Sequence, residues 1–439
     1  MRLEAWVEKR IVFLVGLYFF FFPVDSQAGT LIHGARAAGM AGAFAAIADD
    51  PSAVLFNPAG LATIKGTNSY SGATAVFGPT EFESRDGETE STEFQVFFPP
   101  HLYISSDMKH EGIALGLGVY SPFGVGGRKW DDEGITRYAG TENLISTFAI
   151  NPVFACRVYP WLSVGLGAFY LYSSSDSKQM IDQSALGAGD AKLSLEGSGG
   201  GLGLNVGILL FPEEKFSFGL TYRSGVHVNQ DVTVDLDNIA PALQIFSGGP
   251  DFSTDARTTL HFPQVFSFGA AYRPTKSLTF GMELEWTGWS SFDYMDLNLQ
   301  EELPEVGLSD FIVDFDYNDV WFVKVGAEYR LNDHYSLRGG YMYSMNPVPT
   351  YTLAPGNPDS NQHNLCVGMG YKLKKWTVDF AYVADFYEDR TVDNDILSGK
   401  YQTFVNCVGL SVGYSYLNIE NLVLRARSEA KGSATDYSI

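Results

Sequence analysis

Basic residues are scarce in this sequence. Lys and Arg number 29 against 51 Asp and Glu in 439 residues, a formal charge of −22. No basic stripe exists to meet a phosphate backbone, which excludes nucleic acid as a partner. Cysteine is nearly absent. Cys156, Cys366 and Cys407 lie far apart without a CxxC pair, so neither a disulfide framework nor a zinc site is expected. His33, His101, His110, His227, His261, His334 and His363 show no HExxH or other metal-ligand spacing. No metal or other cofactor is therefore expected. Long apolar runs are also missing. The longest, Ile11–Phe22, has twelve residues, and no later run reaches the ~20 that a membrane helix needs. Charged residues make up only 18% of the chain, against about 25% in ordinary domains.

Aromatics and glycine are abundant: 32 Phe, 24 Tyr, 7 Trp and 46 Gly. Such a chain is too rich in aromatic and β-branched residues to stay disordered. Many aromatics and glycines without a spanning helix imply an all-β protein, in water or facing lipid.

The first residues read as an export address. Arg2, Lys9 and Arg10 precede the apolar run, Pro23-Val24-Asp25 breaks it, and Ser26-Gln27-Ala28 supplies small residues for cleavage. Residues 1–28 are expected to be a secretory signal peptide, removed after Ala28.

From about residue 67 the chain alternates with period two. Trp321, Val323, Val325, Ala327 and Tyr329 share one face, and Phe322, Lys324, Gly326, Glu328 and Arg330 the other. Phe280, Met282, Leu284 and Trp286 likewise oppose Gly281, Glu283, Glu285 and Thr287. Aromatics such as Tyr222, Trp286, Tyr329 and Tyr371 end the apolar faces, where an interfacial girdle belongs. Strands in lipid must pair every backbone group, so they must close into a barrel. Six short turns, near residues 108, 159, 213, 275, 333 and 373, alternate with seven long polar loops, near 85, 132, 184, 246, 308, 356 and 395. That pattern predicts a 14-stranded antiparallel transmembrane β-barrel over residues 67–417, with both termini on the short-turn, periplasmic side. The acidic loops solvate the outer face; divalent bridging to lipopolysaccharide is the sharper alternative.

Residues 29–66 do not alternate. GARAAGMAGAFAAIADDPSAVLFNPAGLA (34–62) is rich in Ala and Gly, which permits close packing inside a lumen. Asp49-Asp50-Pro51-Ser52 is a helix-start signal, and Asn57-Pro58-Ala59-Gly60 a turn signal. This stretch resembles the amino-terminal signature of the FadL/TodX (OMPP1) family of outer-membrane hydrocarbon transporters. GVYSPFG (118–124), LTYRS (220–224), WTGWSSF (286–292) and NPVP (346–349) follow in the family order.

The resemblance implies that residues 29–66 form a hatch plugging the lumen, with Asp49, Asp50, Asn57, Pro58, Ala59 and Gly60 at its centre. It implies passive uptake of long-chain fatty acids, or alternatively of neutral or monoaromatic hydrocarbons, and no enzymatic activity. Cargo would leave sideways at a kinked third strand, here about Glu111–Phe123, where Pro122, Phe123, Gly124, Gly126 and Gly127 disrupt pairing. It also implies the outer membrane of a Gram-negative cell, with lipopolysaccharide and outer-membrane lipid as neighbours, insertion by the barrel assembly machinery, and a monomer. Leu31, Ile32, Phe44, Phe169 and Leu171 are candidates for cargo contact, and Arg223, Lys324 and Arg338 are the inward cations able to meet a carboxylate. For any one of these cations, pairing with Glu283, Glu285, Glu328 or Asp379 is the stronger competing expectation. Some family members carry a basic residue where this chain has Asn318, which bears on the carboxylate reading. Residues 418–439 form a tail beyond the usual barrel end. The GxSxG match at Gly409–Gly413 lies within an alternating strand rather than the strand–turn–helix elbow of a hydrolase, and a nonspecific porin would lack the hatch.

Overall fold

The structure, a computed structural model, describes residues 33–416. The expected signal peptide and tail, and candidates Leu31 and Ile32, lie outside the described residues. Fourteen antiparallel strands form one closed barrel. In chain order they are β1 (Thr67–Phe77), β2 (Pro100–Ser106), β3 (Ile113–Tyr120, resuming at Val125–Lys129), β4 (Glu142–Tyr159), β5 (Leu162–Ile181) and β6 (Ala191–Glu213). Next come β7 (Phe216–Arg223 and Val226–Asp237), β8 (Phe252–Phe262 and Val265–Thr275), β9 (Leu278–Thr287) and β10 (Val320–Arg330). The wall ends with β11 (Tyr335–Ser344), β12 (Gln362–Leu373), β13 (Trp376–Tyr387) and β14 (Gly399–Ser415). Each strand pairs with its sequence neighbours, and β1 closes the ring on β14 from Asn68↔Ser415 to Phe77↔Asn406.

The period-two alternation sets which face meets lipid. Trp321, Val323, Val325 and Tyr329 on β10 are exposed, while Phe322, Lys324 and Glu328 are buried. The same parity holds on β9, where Phe280, Met282 and Leu284 face out and Glu283 faces in. Strands β4, β5, β6 and β14 contain 18, 20, 23 and 17 residues, well beyond the ~9–11 that cross a bilayer. On β5 the outward row runs Leu166, Tyr170, Tyr172 and then Ser174, Asp176, Lys178. The change from apolar to charged along one face marks the outer edge of the lipid. The ends of the loops predicted near residues 184 and 246 are therefore strand standing above the membrane, and residues 182–190 and 238–251 remain as connections.

Residues 33–66 lie inside the barrel. They form two short helices, α1 (Ala35–Ala38) and α2 (Ala53–Phe56), and a 3-10 turn over Pro58–Thr63. Inward glycines of the wall make room for them. A Cβ at Gly207 would stand 2.1 Å from Asn57 Oδ1, and one at Gly219 2.1 Å from the Ala45 carbonyl oxygen. Among the described residues no helix is long and apolar enough to cross a membrane.

Candidate functional site

The inner segment is fastened by two unlike means. Its first half is held by charge. Arg36 Nη1 reaches Asp49 (2.6 Å) and Asp50 (3.1 Å), and its Nε donates to Glu328 on β10 (3.0 Å). Arg338 on β11 completes the chain, donating to Glu328 and to Asp379 on β13, each at 2.7 Å. Glu283 on β9 accepts the backbone N–H groups of Phe44 (3.0 Å) and Ala45 (2.8 Å), and Lys324 donates to Glu283 (3.0 Å) and Glu285 (2.9 Å). A buried charge is tolerable only when paired and hydrogen-bonded. Of the candidate cations, Lys324 and Arg338 are thus placed in ion pairs with the acids named as competitors. Phe44 packs within the segment against Phe56, ring centres 5.4 Å apart, with Arg36 over its face.

The second half is held by hydrogen bonds rather than ion pairs. Asn57 is fully buried; its Nδ2 donates to the carbonyls of Ala45 (2.7 Å) and Ile208 (3.1 Å), and its Oδ1 accepts from Ala59 N–H (3.1 Å). Pro58 starts the 3-10 turn and Ala59 and Gly60 continue it, both buried; a Cβ at Gly60 would strike the Ala48 carbonyl. Asn205 on β6 donates to the Val54 carbonyl at 3.0 Å, and Asn151 on β4 does so at 3.5 Å. Sequence reasoning missed both asparagines. Each is an inward polar residue at a lumen position, which is the one signal they carried.

At β3 the wall opens. The strand does not simply end at Pro122. It breaks into a turn closed by Gly124 N–H to the Ser121 carbonyl (3.1 Å), then resumes against β4. Tyr120 pairs with Ala149 and Val125 with Ser146, so four residues on β3 face two on β4. Thr147 fills the step, its Oγ1 accepting Phe123 N–H (3.1 Å) and donating to the Gly124 carbonyl (3.0 Å). Toward β2 the ladder stops at Leu102↔Val119, and contact returns only where Glu93 N–H meets the Lys129 carbonyl at 2.8 Å. Between residues 94–101 and 120–128 the described backbones share no hydrogen bond. Pro100 and Pro122 carry no N–H to offer there. The Phe97 ring lies against Gly126 across this seam. Behind it is a cavity of about 90 Å³, lined by Phe97, Phe123, Gly124, Gly126, Gly127 and Ile145 among others.

A second cavity, of about 60 Å³, lies deeper, between the inner segment and β6–β9. Leu55, Phe56, Phe123, Arg223, Glu283 and Trp289 line it. Arg223 differs from the other candidate cations. Its Nη2 donates to the Leu55 carbonyl at 3.3 Å, its Nε is buried without an acceptor, and no carboxylate among the described residues lies within 4.0 Å. Trp289, 1% exposed, also buries its indole N–H without an acceptor. Phe169 and Leu171 face inward and are buried, as their parity requires, but line neither cavity.

The lumen is also covered from outside. Residues 352–360 of the β11–β12 connection are buried rather than looped into solvent. Trp130 Nε1 donates to the Pro355 carbonyl (2.9 Å), Thr352 Oγ1 to the Phe315 carbonyl (2.9 Å), and Asn394 Nδ2 to the Leu353 carbonyl (2.8 Å). Ser411, the serine of the GxSxG match, lies on β14, contacts His101 Nε2 at 2.9 Å and accepts Ala35 N–H at 2.9 Å. Neither cavity reaches it. Cys156, Cys366 and Cys407 form no disulfide with one another. Among the described residues, no group of three or more His, Cys, Asp or Glu is placed to hold a metal.

Residues 25–416 match the family described as outer membrane protein transport protein (OMPP1/FadL/TodX). The chain belongs to this family. Relatives include the "Long-chain fatty acid transport protein" of Escherichia coli O6:H1, 23% identical over 75% of this chain and 79% of that one. "Outer membrane protein P1" of Haemophilus influenzae is 23% identical over 85% and 91%. Among solved structures, a Pseudomonas aeruginosa FadL homologue superposes with a TM-score of 0.78 at 18% identity, over 88% of this chain and 98% of that one. The P. putida toluene transporter TodX gives 0.70 at 14% identity, over 89% and 100%. At these identities the superpositions establish the fold; membership in the family rests on the match along the chain.

Proposed function

We propose that this chain takes up long-chain fatty acids passively across the outer membrane and releases them sideways between β2 and β3. The observation that carries the reading is Arg223. A buried donor without an acceptor is costly, and here the half-buried Arg223 turns its unmet Nε into a cavity of mixed polar and apolar wall beside a second orphaned donor, Trp289. Two unmet donors in one cavity ask for an acceptor from the cargo, and a carboxylate head is the acceptor that also meets the charge. Glu283 and Glu285 share that cavity but are answered by Lys324. The names of the fatty acid relatives support the same cargo.

The path follows from the geometry. Cargo arrives from the long-loop side, where residues 352–360 must yield. Its head settles at Arg223 and its tail extends toward the apolar cavity behind Phe97. Irregular backbone at membrane depth is tolerated only where it lines a cavity, so the unpaired edges of β2 and β3 suit an exit into the bilayer. Residues 29–66 act as the hatch that keeps the barrel from being an open pore. The chain carries its cargo without chemistry on it.

The test is binding of oleate and of methyl oleate to wild-type protein and to Arg223→Gln. The reading expects the variant to bind oleate at least about tenfold more weakly, a loss of ~1.4 kcal/mol, with methyl oleate unchanged. Equal loss for both, or loss for neither, would remove the carboxylate from the account and favour a neutral hydrocarbon as cargo.

A further inference from the structure

The two cavities share one lining residue, Phe123. The cavity behind the seam is about 90 Å³ and the one at Arg223 about 60 Å³. Each falls well short of the roughly 300–1,000 Å³ of an ordinary ligand pocket. A long acyl chain with its head at Arg223 therefore needs both and more, and must displace Phe123, the residue they share.

The backbone of Phe123 is fixed. Its N–H is held by Thr147 Oγ1 at 3.1 Å, and the turn around it is closed at Ser121 and Gly124. Gly124 has φ +90°, a conformation that favours glycine, so the turn keeps its shape when the side chain moves. The ring carries no hydrogen-bonding group. It packs on Phe262 (centres 4.8 Å apart) and edge-on to Trp289 (6.4 Å). Turning it breaks no hydrogen bond and costs only packing and a rotamer change. A fixed backbone carrying a ring held by packing alone can serve as a partition.

We propose that Phe123 is the partition between a head chamber at Arg223 and a tail chamber at the seam, and that it sets the chain length the protein accepts. This rests on the amphipathic-cargo reading above. A short chain needs less room beyond the head chamber and displaces the ring less. A long chain must push the ring aside, and part of its binding energy is lost in doing so. The interruption of β3 then has a second role besides opening the wall, because it is the device that turns Phe123 inward.

The experiment measures binding of radiolabelled octanoate and oleate, and of their methyl esters, by equilibrium dialysis with the full barrel in lipid nanodiscs. Wild type, Phe123→Ala and Phe123→Trp are compared, each checked for a heat-modifiable folded band. Phe123→Ala should raise the oleate-to-octanoate affinity ratio by about fivefold or more, and Phe123→Trp should lower it by a similar factor, a size expected of pocket-shape discrimination. The proposal is overturned if both folded variants keep the wild-type ratio, or if both shift it in the same direction. The esters separate the two claims. If only esters bind, the carboxylate reading fails, and the partition is judged on the ester ratio in the same way.

Discussion

The seam between β14 and β1 joins the two ends of the barrel, yet it is complete: ten consecutive residue pairs link Asn68–Phe77 to Ser415–Asn406. The seam between β2 and β3 joins neighbours linked by a short turn, yet it has five pairs, Leu102↔Val119 to Ser106↔Leu115. Loop-closure entropy would favour the reverse, because neighbours meet at lower cost than chain ends. The open seam is therefore written locally. Pro100 and Pro122 remove donors where a ladder would form, and the two extra residues of the Ser121–Gly124 turn shift β3 out of line. The closed seam is also braced from within. Ala35 N–H donates to Ser411 Oγ (2.9 Å) on β14 and Arg36 N–H to Tyr70 Oη (3.2 Å) on β1, so α1 sits across it.

The contrast can be broken most severely at the closed seam. Thr74 N–H points to β2, where it meets the Pro99 carbonyl at 3.2 Å. By strand alternation Ala73 N–H then points to β14. Ala73→Pro removes that donor in the middle of the ladder and is expected to abolish the heat-modifiable folded band. Arg36→Gln is next. It leaves Asp49, Asp50 and Glu328 without their shared partner, and removing one member of a buried ion network costs about 3–5 kcal/mol. The barrel should still assemble, with a clearly lower unfolding temperature on a detergent gel. Ser411→Ala is the mildest. It removes one brace of the closed seam, worth ~1 kcal/mol, and should leave uptake at the wild-type rate.

Much of this architecture was readable beforehand because lipid imposes a simple rule. Alternation on β9 and β10 assigned Glu283 and Lys324 to the lumen and Trp321 to the bilayer, and turn length alternated with the strands. Pairing inside the lumen was not readable. Parity says that Arg223, Lys324 and Arg338 all face inward. Whether each meets an acid depends on neighbours across the wall, such as Glu283 for Lys324 and Asp379, two strands away, for Arg338. Only the folded barrel shows that Arg223 meets none among the described residues. The inward fold of residues 352–360 was hidden for a related reason. Its sequence is polar and proline-rich, as a solvent loop would be, and its carbonyls are satisfied by Trp130 and Asn394, far away in the chain. Trp289 was visible within the WTGWSSF motif, but its unmet N–H was not.

Closing the open seam tests the account most directly. Removing Ser121 and Pro122 would let two residues of β3 face the two of β4, and Pro100→Val would restore a donor on the β3-facing side of β2. Uptake of radiolabelled oleate is then compared in cells carrying equal amounts of heat-modifiable barrel, wild type against the closed variant. The account predicts that uptake falls to the level of cells without the protein. Uptake at the wild-type rate through a closed β2–β3 seam would contradict it.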